Sequence, residues 1–309
     1  MVEIEEAAGR ISRLEVQGAT NVAFTAVEAL VRHLKALGTA NRDEIYREIV
    51  AAKEILFASR ETEPFMRNAI RFIEWSVNKS EWETLEEFQG LIEGLSKELL
   101  EEFRVARDRI TNVGSRRIIE GTKVLTHCHS SAVTGILKEA KRKGVNFEVY
   151  LTETRPVYQG RITAKEMIET GIPATMMVDS AVRTFINGVD LVLVGSDAIT
   201  SEGNVINKIG TSLIALAAQE ARVPFYVASE LLKFDPQTIH GDFEAIEQRS
   251  PDEIWSDAPD DLRIMNPAFD VTRREYIHGV ICEGGVISPH SIMEAVRRHY
   301  PWILEASLA

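Results

Sequence analysis

The chain has 309 residues, 45% hydrophobic and 27% charged, the proportions of an ordinary soluble globular protein with room for two domains. Its formal net charge of −12 excludes general nucleic-acid binding, because no long basic face is available, but leaves room for a local cluster of Arg and Lys around a small anion. No apolar run approaches the ~20 residues that cross a bilayer, and the start, MVEIEEAAGR, lacks the basic-then-apolar pattern of a signal peptide. A cytoplasmic protein without membrane contact is therefore expected. Only Cys128 and Cys282 occur, too few for a disulfide framework or a cysteine metal site, with a lone Cys128–Cys282 bridge as a minor alternative.

Residues 1–115 read as helices. Leu30, Val31, Leu34 and Leu37 fall near helical spacing and Gly38 stops that run; Ile45, Ile49, Ala52, Ile55 and Leu56 repeat the pattern over 41–58. Glu63-Pro64 restarts a helix, and Thr84 with Glu87 forms a capping-box pattern ahead of a long segment reaching about Ile110. The texture changes over 111–121. From there, apolar strands at 122–126, 147–152, 173–178, 190–194 and 223–228 alternate with helices at 131–143, 162–170, 180–187 and 206–221. Strands of this kind separated by helices imply a parallel sheet covered on both faces. The tail, with Asn266-Pro267, Gly284-Gly285 and Ser288-Pro289, reads as irregular up to a last helix near 290–307.

Ligands of open parallel sheets bind beyond the carboxyl ends of the strands. Cys128, Glu153-Thr154-Arg155, Asp179-Ser180, Asp197 and Ser229-Glu230 follow the strands in turn. Cys128 lies between a strand and a helix that Ser130 and Ser131 open, a position where converging N–H groups lower a thiol's pKa. A zinc reading of His127-Cys128-His129 fails, since adjacent residues cannot all turn to one ion. Asp197, after Gly195-Ser196, is either a helix cap or a carboxyl at a dry strand end, where desolvation raises its pKa. The two side chains make a candidate acid/base pair.

Several further stretches suit phosphate. Gln17, Gly18, Ala19 and Thr20 join two helical segments with small residues. Arg60 sits at a helix-to-Pro transition with Arg67 beyond it, and Asn207-Lys208 is expected to start the helix after the Asp197 strand. Arg155 and Lys233 add cations at later strand ends. No GxxxxGKS or GxGxxG pattern occurs. Glu153, Arg155, Gln159, Asp179 and Glu283 are expected organisers behind the contacts, with His127 and His129 either tuning the thiol or purely structural.

The stretches LTHCHSSAV, TETRPVYQGRITAKEM, GIPATMMVDSAV, VGSDAIT, GNVINKIGTSLIALAA, VPFYVAS and NPAFDVT follow one another over residues 15–290. In this order they resemble the signatures of one superfamily. It holds the methylthioribose-1-phosphate isomerases, the archaeal ribose-1,5-bisphosphate isomerases and the regulatory (alpha, beta and delta) subunits of translation initiation factor two B. The resemblance implies an α/β fold: an N-terminal helical domain, 1–115, and a C-terminal Rossmann-like domain, 116–309, through which the chains assemble. It also implies that Cys128 and Asp197 are the catalytic pair. Methylthioribose-phosphate isomerases carry RGAPA, HCNTG and GADRI where this chain has QGATNVA, HCHSSAV and GSDAI. These departures resemble the archaeal ribose-1,5-bisphosphate isomerases, whose substrate has a second phosphate.

The resemblance then implies an aldose–ketose isomerase, an intramolecular oxidoreductase that turns ribose 1,5-bisphosphate into ribulose 1,5-bisphosphate in AMP and nucleoside degradation. Gln17, Gly18, Ala19, Thr20, Arg60, Arg67, Ser130, Ser131, Ala132, Asn207, Lys208 and Lys233 are the expected substrate-binding residues. Asp197 is assigned the proton for the ring oxygen and a Cys128 thiolate the C2 proton, with the reverse assignment fitting the sequence almost as well. No metal or organic cofactor is expected. AMP is an expected activator, and a homo-oligomer from dimer to hexamer the expected assembly. The rivals are a methylthioribose-1-phosphate isomerase and a non-catalytic translation-factor-like regulatory subunit.

Overall fold

The computed structural model describes residues 1–16, 18–60, 62–242 and 246–308. The helical half contains α1 (Val2–Ser12), α2 (Ala19–Ala36), α3 (Arg42–Ala58), α4 (Pro64–Lys79) and α5 (Leu85–Ser115). Their ends follow local chemistry. Asn41 accepts the Glu44 N–H at 3.0 Å to cap α3, Pro64 supplies the first position of α4, and Thr84 and Glu87 form a reciprocal capping box on α5. The buried stripe of α3 is Ile45, Ile49, Ala52 and Leu56, the helical spacing read from the sequence.

Next come β1 (Lys123–Thr126), α6 (Ser131–Arg142), β2 (Glu148–Thr152), α7 (Gly160–Glu169), β3 (Ala174–Met177), α8 (Val182–Phe185) and β4 (Leu191–Val194). The chain continues through β5 (Ala198–Ile199), β6 (Val205–Lys208), α9 (Thr211–Ala221) and β7 (Phe225–Ala228). Its last elements are β8 (Phe269–Thr272), β9 (Gly279–Cys282), β10 (Gly285–Ile287), α10 (Ile292–His299) and α11 (Pro301–Leu308). Seven strands form one sheet in the order β10-β9-β7-β4-β1-β2-β3, parallel throughout except for the β9–β10 pair. β5, β6 and β8 make a separate antiparallel sheet.

Strand alternation divides the core. Val124, Val149, Leu151, Leu191 and Leu193 pack with α6, α7 and the end of α5. On the other face, Leu125, Val192, Val194, Phe225 and Val227 join one apolar cluster with α9, α10 and the N-terminal helices. Both faces are thus covered, as continuous apolar strands demand.

The structure corrects three sequence expectations. The helix expected over 206–221 begins only at Thr211; Val205–Lys208 is β6, because it pairs on both sides and Gly210, at φ 103°, turns the chain before α9. The tail expected to be irregular holds β8, β9 and β10, and Pro301 splits the last helix into α10 and α11. Residues 180–187 form short helical turns around the four-residue α8.

The chain runs outward from β1 through β2 to β3, then returns to place β4 on the other side of β1. The crevice where this reversal occurs, beyond the ends of β1 and β4, is the ligand position for such sheets. Cys128 follows β1 and Asp197 follows β4.

Candidate active site

A cavity of about 310 Å³ occupies this crevice, and Cys128 and Asp197 both line it. Cys128 adopts φ +66°, a conformation uncommon for a residue with a Cβ. Its N–H donates to Thr154 Oγ1 at 2.9 Å, and its carbonyl accepts from Thr163 Oγ1 at 2.9 Å. The thiol is half-buried and free, as is the wholly buried Cys282, so no bridge joins them. Burial pushes the Cys128 thiol up to about 11, with Asp197 and Asp179 adding to the rise and Lys208 opposing it. The expected lowering by the helix mouth is overturned: desolvation outweighs the nearby N–H groups.

Asp197 is positioned by a backbone hydrogen bond and by one glycine-dependent approach. Its N–H donates to Ile206 O of β6 at 2.8 Å, tying the β4 end to the small sheet. A Cβ on Gly195 would lie 2.5 Å from Ser130 Oγ, so only glycine lets the α6 start come this close to the Asp197 turn. His127 is structural. Its Nε2 donates to Ile209 O at 2.9 Å, which fixes the tautomer, and its Nδ1 accepts from Thr152 Oγ1 at 2.6 Å. Burial lowers its pKa, so the ring stays neutral.

In a chain of net charge −12, this cavity gathers five cations, Arg60, Arg107, Lys208, Lys233 and Arg249, against the carboxyls of Asp197 and Glu253. Four of the five are held by carboxylates. Arg60 Nε lies 3.6 Å from Glu247 and 4.0 Å from Glu63; Arg107 and Lys233 share Glu230 at 3.4 and 3.2 Å; Arg249 bonds Glu253 and Glu247. Lys208, over the Phe269 ring at 4.9 Å, has no ion pair among the described residues. Among the described residues, Arg60 Nε, Arg107 Nε and Gln159 Oε1 are buried without a hydrogen-bond partner, capacity that a polar ligand would complete.

Three helices begin at this site. Gly18, Ala19 and Thr20 open α2, and Ser130 and Ser131 open α6; all line the cavity, and among the described residues neither N-cap, Gly18 or Ser130, makes a side-chain cap bond. The start of α9 is closed instead. Asp270 accepts from Gly210 N at 2.8 Å and Ser212 N at 3.0 Å, and burial raises its pKa to about 6. The expected cation at a helix N-terminus is therefore corrected: Asn207 and Lys208 reach the cavity from the end of β6.

Of the expected binding residues, Gly18, Ala19, Thr20, Arg60, Ser130, Ser131, Asn207, Lys208 and Lys233 converge on the cavity. Arg67 points elsewhere and donates to Gln237 Oε1 at 2.9 Å, and Ala132 is turned into the core beneath α6. Gln17 lies outside the described residues. Of the expected organisers, Asp179 accepts from Thr154 N and Arg155 N, Glu283 accepts from Leu231 N and Tyr300 Oη, and Gln159 reaches the cavity wall itself. Arg107, Asn21, Arg249, Asn266 and Phe269 also line the cavity and were missed by sequence reasoning. Arg107 sits inside a charged 31-residue helix, where nothing local marks it. Asn266 and Phe269 belonged to a motif, NPAFDVT, that offered a usable signal.

Among the described residues no cluster of His, Cys, Asp or Glu could hold a metal ion, and no helix is long and apolar enough to cross a membrane. Comparison with known proteins gives consistent relatives. The chain is 38% identical over 310 residues to a ribose 1,5-bisphosphate isomerase of Thermococcus kodakarensis, covering 98% of this chain and 96% of the relative. It is 42% identical over 294 residues to the protein of the same name from Archaeoglobus fulgidus, covering 94% and 91%. A crystal structure of a Pyrococcus horikoshii translation initiation factor eIF-2B superposes with a TM-score of 0.80 at 29% identity, covering 93% of this chain and 97% of that one. The profile of the initiation factor 2 subunit family matches residues 15–289, so the chain belongs to that family.

Proposed function

We propose that the protein is a ribose 1,5-bisphosphate isomerase that forms ribulose 1,5-bisphosphate. The observation that carries this reading is the meeting of Cys128 and Asp197 in one cation-rich cavity at the reversal of the sheet. With phosphate on C1 the sugar ring cannot open by ordinary mutarotation. One group must give the ring oxygen a proton as its bond to C1 breaks, while another removes the C2 proton, leaving a C1–C2 enol phosphate. Return of a proton to C1 and loss of the C2 hydroxyl proton then give the ketone, so atoms and charge balance without an external oxidant. In the free cavity burial keeps Cys128 protonated, which supports the thiol as proton donor to the ring oxygen and the Asp197 carboxyl as base at C2. The starts of α2 and α6 that line the cavity, with Arg60, Arg107, Lys208 and Lys233, are suited to the two phosphates and to charge developing on the enol.

Self-association belongs to the same proposal. α8 and α9 pack together and leave Phe185, Leu213 and Leu216 exposed at 49%, 61% and 50%, an apolar surface suited to a second copy. AMP as an activator rests on the sequence resemblance alone. Purified protein assayed side by side with ribose 1,5-bisphosphate and methylthioribose 1-phosphate tests the function. Turnover of the first is expected. Turnover of only the second would make it a methylthioribose-1-phosphate isomerase, and turnover of neither would favour a regulatory subunit.

A further inference from the structure

We propose that Thr154 and Thr163 are positioning residues that clamp both sides of the Cys128 peptide and so aim its thiol into the cavity it shares with Asp197. The proposal rests on the isomerase reading above. Cys128 occupies the left-handed region at φ +66°, where its Cβ is crowded by its own backbone, so the conformation persists only if its surroundings impose it. Two hydroxyls do so. Thr154 Oγ1 takes the Cys128 N–H and Thr163 Oγ1 gives its proton to the Cys128 carbonyl, each at 2.9 Å. Thr154 and Thr163 are 0% and 1% exposed, and neither lines the cavity, so their hydroxyls act through Cys128 and not on a ligand.

The clamp is itself held. Thr154 is also left-handed, at φ +63°, and its N–H donates to Asp179 Oδ1 at 2.8 Å while Arg155 N–H donates to Asp179 Oδ2 at 2.7 Å. Thr152 Oγ1 lies 3.5 Å from Thr154 Oγ1 and bonds His127, which in turn bonds Ile209 O just after β6. On the other side His129 Nδ1 donates to Thr163 Oγ1 at 3.2 Å, leaving that hydroxyl's proton for the Cys128 carbonyl. Cys128, Thr154 and Tyr158 are three of the five non-glycine positive-φ residues among those described, and all three lie on the loops ending β1 and β2. Unusual backbone gathered in this way marks a site whose geometry is held for use.

The test compares Thr154→Val and Thr163→Val, which keep shape but lose the hydroxyl, with Thr154→Ser and Thr163→Ser, which keep it. Since a misplacement near 1 Å costs about 10²-fold, each Val variant should lower kcat by ~10–100-fold with KM within ~3-fold, and each Ser variant should recover to within ~3-fold of wild type. Iodoacetamide alkylation of Cys128, mapped by mass spectrometry, should change in rate in the Val variants and return in the Ser variants. If Thr154→Val does not fold, Thr163→Val, which touches only the carbonyl side, carries the test. Unchanged kcat in folded Val variants, a loss confined to KM, or Ser variants no better than Val would overturn the clamp. Absence of wild-type turnover would sink the isomerase reading instead, and the alkylation series would still decide whether the two threonines position the thiol.

Discussion

The ionisation of Cys128 decides which half of the proposed acid–base pair it serves. Burial lifts the thiol from 9.0 to about 11. At pH 8 that leaves only ~1 in 1,000 molecules as thiolate, against ~1 in 10 for an unperturbed thiol, since each pKa unit is a factor of ten. The rate of alkylation by iodoacetamide should therefore climb about tenfold per pH unit from pH 7 to 10 without reaching a plateau. Two substitutions move it in opposite directions. Lys208→Met removes the cation that stabilises the thiolate and should slow alkylation at fixed pH. Asp197→Asn removes a destabilising carboxyl and should speed it. Peptide mapping separates Cys128 from Cys282, whose buried thiol is pushed up to about 12. Because the folded thiol is the weaker acid, its share of stability is present below pH 9 and lost as pH rises through 11. A plateau with a midpoint at or below pH 9 would refute the protonated-thiol assignment, as would a kcat/KM that rises tenfold per unit between pH 7 and 9.

Cys128→Ser and Asp197→Asn should each lose ~10²–10⁴-fold in turnover while melting temperature and substrate binding hold; near-wild-type rates would remove the pair from the mechanism. Lys233→Met leaves Glu230, 2% exposed, to its longer Arg107 contact at 3.4 Å and should cost about 1–3 kcal/mol in urea denaturation. Lys233→Met with Glu230→Gln should recover much of that loss, which a purely ligand-binding Lys233 would not show. Gly160→Ala would set a Cβ 1.9 Å from Thr152 O and should cost roughly 3 kcal/mol or more, read as a lower melting temperature. Burial raises the Glu63 carboxyl to about 7 from 4.5, against the opposing pull of Arg60. Its ionised form therefore weighs on the fold above pH 7, and Glu63→Gln should be more stable than wild type by roughly 3 kcal/mol at pH 8. That gap should close as pH falls to 4.5, and a gap constant with pH would contradict the assigned burial.

Local signals in the sequence were reliable where they needed no distant partner. The Thr84–Glu87 box, the 45–49–52–56 stripe and the apolar strands before Cys128 and Asp197 all stand in the structure as read. Ordering the strand ends was enough to put both candidate catalytic side chains on one crevice, because parallel sheets fix where ligands sit. What escaped depended on contacts distant in sequence. Val205–Lys208 looked helical until β5 and β8 took its hydrogen bonds, and β9 hid between glycines because a central strand needs only four buried residues. Arg107 is separated by 87 residues from the Thr20 hydroxyl it bonds. The thiol's raised pKa was invisible for a different reason: the helix mouth is local and legible, whereas the burial that overrides it comes from the assembled walls.

Asp270 at the start of α9 has a consequence for how a ligand would be felt by the whole chain. By occupying that terminus from within, it leaves the starts of α2 and α6 as the helix starts that line the cavity, one from the helical half and one from the sheet half. A bisphosphate spanning both would act as a removable crosslink between residues more than a hundred positions apart. Its binding should then be legible far from the chemistry, as slowed amide exchange in the first turns of α2 and α6 together and none at α9.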